Sequence, residues 1–190
     1  MAATASAMLE LGTPAPEFSL PDPDGKTHGL GENKRAYLVM FICNHCPFVK
    51  HVRAELSRLG RDFLAKDVSI IAINSNDFAL HPGDSPEKMK EEAKSWEYNF
   101  PYVFDADQSV AKAYRATCTP DFFLFDANKT LVYRGQLDGS RPSNDIPVTG
   151  TDLRAAIESV LGGRSVFTDQ RPSIGCNIKW TPGNEPDYFG

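Results

Sequence analysis

Two apolar runs, AYLVMFI at 36–42 and VSIIAIN at 68–74, set the tightest limit on the fold. A strand with one wet face alternates apolar and polar residues. An unbroken apolar run belongs to a strand covered on both faces, which is the habit of parallel sheets flanked by helices. Between the runs, Val49, Val52, Leu56, Leu59 and Phe63 recur at helical spacing and predict a helix ending near residues 60–66. Strand, helix, strand makes a βαβ unit, with parallel strands and a right-handed crossover. At the joint between the first strand and the helix stand Cys43, Asn44, His45 and Cys46, followed by Pro47.

The rest of the chain reads as additions to that unit. Residues 1–11 are expected to be a flexible leader. Phe18, Leu20 and the turn signal Pro23-Asp24-Gly25 predict a short strand and turn lying on the body. Ser85 is the expected cap of a helix with Pro86 first, Glu87 in its opening turn, and Met89, Ala93 and Trp96 inward. YVFDAD predicts a strand, and Asp107 is the expected cap of a helix carrying Val110, Ala111 and Tyr114. DFFLFDANKTLVYRGQL holds two β-rich runs around residues 126–129, the mark of an antiparallel hairpin. TDLRAAIESVLGG predicts a last helix, capped by Thr151 and stopped at Gly162. Residues 12–163 are therefore expected to form one α/β domain, a central mixed β-sheet flanked by helices with an N-terminal β extension. Residues 164–190 are expected to be a C-terminal tail packing on it.

Composition closes off several function classes. With 20 Lys and Arg against 25 Asp and Glu, there is no basic excess to neutralise phosphates, so no nucleic-acid partner is expected. No apolar run approaches the roughly 18 residues of a membrane span, so no membrane partner is expected. The opening MAATASAMLELGTPAPEF lacks a basic region and a sustained apolar stretch, so the expected compartment is the reducing cytoplasm. Four cysteines are too few for a disulfide scaffold, and in that compartment a close pair is catalytic or metal-binding more often than structural.

A thiol is a nucleophile only as thiolate. Cys43 is expected at a helix N-terminus, where free N–H groups and the positive dipole end favour an anion. His45 adds positive character, and Pro47 stiffens Cys46. The expected pair is an exposed, attacking Cys43 and a buried, resolving Cys46, working through a mixed disulfide. Three other uses stand beside it. The cysteines could be two small core residues. A zinc site needs four ligands, and only the isolated Cys118 and Cys176 remain. A two-thiolate Cu(I) carrier is chemically feasible. The TCTPDFF stretch leaves Pro120 open between a plain turn proline and a cis proline that exposes neighbouring backbone for β-type pairing with a substrate.

Taken together, FICNHCPFVKHV, CTPDFFLFD, YRGQLDGSRP, PSIGCNIKW and PAPEFSLPDPDGK resemble the thioredoxin-like superfamily. The closest likeness is to its redoxin branch, alkyl hydroperoxide reductase/thiol-specific antioxidant, and there to a cytosolic peroxiredoxin-like group with a C-x-x-C motif. The likeness runs from about residue 12 to 182. It implies a thioredoxin-like fold, a thiol–disulfide site at Cys43 and Cys46, a cis proline at Pro120, and Thr119 presenting its backbone to substrate. Asn44, His45 and Pro47 are then active-site neighbours. The implied partners are disulfide-containing proteins or small thiols and an external reductant, with no cofactor and no resident metal.

Departures qualify that picture. Ile42 stands where thioredoxin has Trp, and Tyr37 where it has a buried acid. Asp77 is a candidate substitute by location, against a plain loop acid. Peroxiredoxins carry P-x-x-x-T-x-x-C; overlaid here, the peroxide-cleaving cysteine is Cys46, with Cys43 at the Thr position and Val39 at the Pro position. A peroxidase using Cys46, with Cys43 resolving its sulfenic acid, is the alternative. Cys118 and Cys176 are candidate accessory thiols, against small packed residues. Arg134 and Arg141 are expected at the solvated surface.

Overall fold

A computed structural model describes residues 3–189. The five-stranded main sheet has the order β6-β5-β4-β8-β9, formed by β4 (Ala36–Phe41), β5 (Val68–Asn74), β6 (Tyr102–Phe104), β8 (Asp121–Asp126) and β9 (Leu131–Gly135). β5 runs parallel to β4 and to β6, whereas β8 is antiparallel to both β4 and β9, so the sheet is mixed. The two apolar runs are its central strands, and their side chains split by the period of two. Leu38, Met40 and Ile70 face one core; Tyr37, Val39, Phe41 and Ile73 face the other.

Three helices cover the first face: α1 (Pro47–Phe63), α2 (Pro86–Ser95) and α4 (Thr151–Leu161). Val49, Val52, Leu56, Leu59 and Phe63 of α1 are all buried there, each worth about 1.5–3 kcal/mol of transfer free energy. The other face is closed by α3 (Ser109–Ala113), by residues 9–20 and by Ile178 and Trp180 of the tail. A hairpin of β2 (Leu20–Pro21) and β3 (Thr27–His28) turns at Asp22, whose carboxylate accepts the Asp24 and Lys26 N–H groups at 2.9 Å each.

A second, three-stranded sheet has the order β1-β10-β7, made of β1 (Ala3–Ala5), β7 (Cys118–Thr119) and β10 (Ile174–Asn177). It corrects one expectation. The leader expected to be flexible is a strand at residues 3–5, pairing Ala3 with Cys176 and Ala5 with Ile174, because the outer edge of β10 needs backbone partners. Two caps also differ. Gln108 rather than Asp107 caps α3, although Asp107 accepts the Ser109 N–H at 3.0 Å. Gly150 rather than Thr151 caps α4, at φ +67°, where an added Cβ would lie 2.7 Å from the Glu55 carboxylate.

Candidate active site

β4 delivers the chain to Ile42, whose N–H still bonds Ile73 at 3.0 Å; residues 43–45 then form a loop. Cys46 is the N-cap of α1, with Pro47 the first helical residue. The structure thus places Cys46, not Cys43, at the helix N-terminus, one residue ahead of the proline that fixes the helix start. Cys43, expected to be exposed, is only 1 % exposed, and Cys46 is fully buried.

Thr119 joins the two thiols. Its hydroxyl lies 3.2 Å from Cys43 Sγ, and its carbonyl oxygen lies 3.2 Å from Cys46 Sγ, an acceptor for that thiol in its protonated form. The Thr119–Pro120 peptide is cis. The hydrogen bonds separate the thiols electrostatically. The Cys43 S–H bonding to it lowers the pKa of Cys46, against a burial cost that raises it; the Cys176 thiol, the Val49 N–H and the Cys176 N–H lower it further. Cys43 is pushed up by that same bond, by burial and by the charge of Asp84. The two thiols are thus shifted in opposite directions, Cys46 down and Cys43 up.

Asp84 is the feature that sequence reasoning missed. It is fully buried and ends a 3-10 turn, Pro82–Asp84, in the loop after β5. Its carboxylate accepts from the Asn44 N–H at 2.8 Å, from Asn76 Nδ2 at 2.8 Å and from His45 Nδ1 at 2.5 Å. Burial raises its pKa, but the bonds from His45, Asn76 and Asn44 outweigh that and hold the carboxyl below its ordinary range. Tyr102 adds a bond to Asn44 Oδ1 at 3.0 Å, and the His45 and His81 rings stack at 5.6 Å. The active-site loop is thus pinned by the segment that follows the neighbouring strand β5. Ligands gather at the carboxyl ends of parallel strands, and that rule was the available signal for the loop after β5.

Asp84→Ala would strand three donors around a buried site. It is expected to cost about 3–5 kcal/mol, read as a lower urea midpoint. The depressed folded-state pKa sets the sign with pH: Asp84's contribution is full above its unfolded value near 3.9 and is lost as pH falls through the lower folded value.

Cys43, His45 and Asp84 bring potential ligand atoms within 4.8 Å of one another. Three of the four lone-pair directions of the carboxylate already accept hydrogen bonds, so the cluster is better suited to holding the loop than to holding an ion.

The remaining residues sort as follows. Asp77 is a loop acid, its Oδ1 capping the Ala79 N–H at 2.9 Å, so it does not replace the buried acid of thioredoxin. Asp121, next to Pro120, is fully buried; it accepts from Ser6 Oγ at 2.7 Å, and burial pushes its carboxyl up to about 7. Cys118 is also buried, and burial followed by the charge of Asp121 holds its thiol well above the ordinary value. The register of β10 sets Cys176 opposite Thr119, in the same buried cluster as Cys46, and burial raises its thiol. Arg134 and Arg141 are not free surface groups. Arg134 Nε bonds the Leu9 carbonyl at 2.7 Å, and Arg141 Nη1 bonds the Asp138 and Ser140 carbonyls at 2.8 and 2.6 Å.

Comparison with known proteins gives the wider setting. Residues 11–134 match the AhpC/TSA family. The chain is 29 % identical over 122 residues to the thiol-disulfide oxidoreductase ResA of Bacillus subtilis (strain 168), a match covering 64 % of each protein. A crystal structure of an uncharacterized conserved protein from Geobacillus kaustophilus is 54 % identical, with a TM-score of 0.94 over 96 % of this chain and 98 % of that one. The thioredoxin domain of a thiol-disulfide oxidoreductase from Bacteroides vulgatus superposes with a TM-score of 0.57 at 20 % identity, covering 67 % of this chain and 89 % of that one, which shows the thioredoxin-like fold.

Proposed function

This chain belongs to the AhpC/TSA family, and from that premise we propose that it is a thiol–disulfide oxidoreductase whose redox couple is Cys43 and Cys46. The observation that carries the proposal is the pair of thiols held on either side of Thr119, through its hydroxyl and its carbonyl, beside a cis proline. The similarity to ResA supports the same reading.

The opposite directions of the two shifts, Cys46 lowered and Cys43 raised by its neighbour, by burial and by the charge of Asp84, support Cys46 as the resting thiolate and Cys43 as its proton-bearing partner, the reverse of the roles expected from the motif alone. The Cys46 thiolate attacks one sulfur of a substrate disulfide, forming a mixed disulfide and expelling a substrate thiolate. Cys43 gives its proton to that thiolate and attacks Cys46 Sγ, releasing the second substrate thiolate. The substrate gains two electrons and becomes two thiols, the second taking its proton from solvent, while the protein is left with a Cys43–Cys46 disulfide. An external thiol reductant resets the couple, and the proposed compartment is the cytoplasm, where such reductants are kept. Among the described residues no helix is long and apolar enough to cross a membrane.

The charge on Cys46 also favours a second reading, a peroxidase at that cysteine. A stopped-flow comparison of fully reduced protein with glutathione disulfide and with hydrogen peroxide separates the two. Oxidation by the disulfide is expected to be faster by at least about 10-fold, because the position that would supply a peroxide-holding Thr hydroxyl is Cys43. A faster reaction with peroxide would overturn the oxidoreductase reading in favour of the peroxidase.

A further inference from the structure

We propose that β10 is a built-in mimic of a substrate strand, filling the backbone edge beside Thr119 and setting Cys176 against Cys46 so that these two form a disulfide with each other. The inference rests on the reading of Cys46 as the reactive thiolate, and it narrows the substrate class to small disulfides.

An extended polypeptide recognised by a sheet edge is held by main-chain hydrogen bonds to that edge. Here the edge preceding Pro120 is already taken. β10 pairs antiparallel with β7, Cys176 opposite Thr119 and Asn177 opposite Cys118, and the Ile178 N–H continues the ladder to the Thr117 carbonyl at 3.0 Å. The fit is tight enough to dictate sequence. A Cβ on Gly175 would lie 2.0 Å from the Thr119 carbonyl oxygen and 3.1 Å from Pro120 N, so only glycine allows this approach. Anchors on both sides hold the strand in place. β1 pairs with its outer edge, the Lys179 N–H bonds Asn76 Oδ1 at 2.8 Å, and Ile178 and Trp180 are buried.

On a bound substrate strand, the residue opposite Thr119 is the one whose side chain can meet the couple. In this chain that residue is a cysteine, buried in the same core cluster as Cys46, whose Sγ lies 3.2 Å from the carbonyl oxygen of the Thr119 that Cys176 faces. The register therefore places the Cys176 residue beside the couple before any reaction. In the oxidised couple, Cys176 can attack Cys46 Sγ of the Cys43–Cys46 disulfide. A Cys46–Cys176 bond forms, the Cys43–Cys46 bond breaks, and the proton leaving Cys176 is taken up by the Cys43 thiolate. The exchange involves no net oxidation and needs no further reactant. It would fasten the tail across the occupied edge.

The test uses Cys43→Ser, in which Cys46 can resolve only through Cys176. The protein is treated with glutathione disulfide, quenched in acid and mapped by mass spectrometry of unreduced peptides. The Cys46 mixed disulfide with glutathione is expected to be attacked by Cys176, releasing reduced glutathione and leaving a Cys46–Cys176 disulfide. Accumulation of the mixed disulfide with Cys176 still free for alkylation would overturn the proposal. If Cys43→Ser does not fold, wild type is mapped in the same way: a linked pair of the Cys43/Cys46 peptide with the Cys176 peptide supports the proposal, and fully alkylatable Cys176 overturns it. Wild type that yields neither a Cys43–Cys46 nor a Cys46–Cys176 disulfide marks failure of the underlying functional reading, and the mimic falls with it. Wild type is also expected to be oxidised by glutathione disulfide at least about 10-fold faster than by native insulin, because the strand-binding edge is filled; an equal or faster reaction with insulin overturns the occupied-edge assignment.

Discussion

Cys46→Ser is expected to abolish turnover of disulfides, with a loss of at least about 1,000-fold, and to remove the thiolate absorbance near 240 nm at neutral pH. The reasoning starts from where charge can rest. Cys46 is the N-cap residue of α1, and its neighbours Cys43 and Cys176 and the Val49 N–H favour its charged form against the cost of burial. None of the other three cysteines is placed to replace it. Cys118 is driven up by burial and by Asp121, and Cys176 by burial and by Cys46. Cys43 loses the bond to Cys46 in this variant but keeps its burial and the facing charge of Asp84. Its alkylation by iodoacetamide should therefore need more alkaline pH than that of Cys46 in wild type. Cys43→Ser should behave differently: the Ser hydroxyl can still donate to Cys46, so one round of disulfide attack persists although the couple cannot close. Equal and rapid alkylation at neutral pH in Cys46→Ser would place the thiolate on Cys43 and reverse the assigned roles.

The βαβ core was legible because its signals are local and strong. The runs at 36–42 and 68–74 could belong only to strands covered on both faces, and Val49 to Phe63 could only be a buried helix stripe. The hairpin after Pro120 was equally plain from its turn residues. What stayed hidden was set by contacts far apart in sequence. Nothing near residue 84 marks it as the acceptor for Asn44 and His45, since a bond spanning some 40 positions has no periodicity to read. Which of Cys43 and Cys46 stands at the start of α1, a difference of three positions, is something motif spacing does not resolve. Nor could the sequence say that β10 would set Cys176 opposite Thr119. The clue was Gly175 beside it, a glycine in a β-rich stretch, which signals close approach of another backbone without naming it.

Asp121→Asn is expected to remove a pH-dependent loss of stability that wild type shows between about pH 4 and pH 7. Asp121 follows Pro120, lies at 0 % exposure, and has one carboxyl oxygen bonded to Ser6 Oγ and the Phe122 N–H while the other has no hydrogen-bond partner. Burial raises its folded pKa to about 7, against about 3.9 when unfolded. The sign follows directly. Below pH 4 both states carry the proton and the group is neutral to the balance. As pH rises, the unfolded chain releases the proton first, so folding loses free energy until the folded group also ionises near 7. Three pKa steps correspond to a loss on the order of 4 kcal/mol. An amide in the same place keeps an acceptor for Ser6 and Phe122 and carries no proton to release. Urea unfolding at pH 4.5, 6 and 8 should therefore show a falling midpoint in wild type and a flat one in Asp121→Asn, with the variant the more stable at pH 8. Parallel pH profiles would mean that Asp121 ionises in the fold as readily as in water, and that its burial beside Cys118 is relieved in a way its hydrogen bonds do not account for.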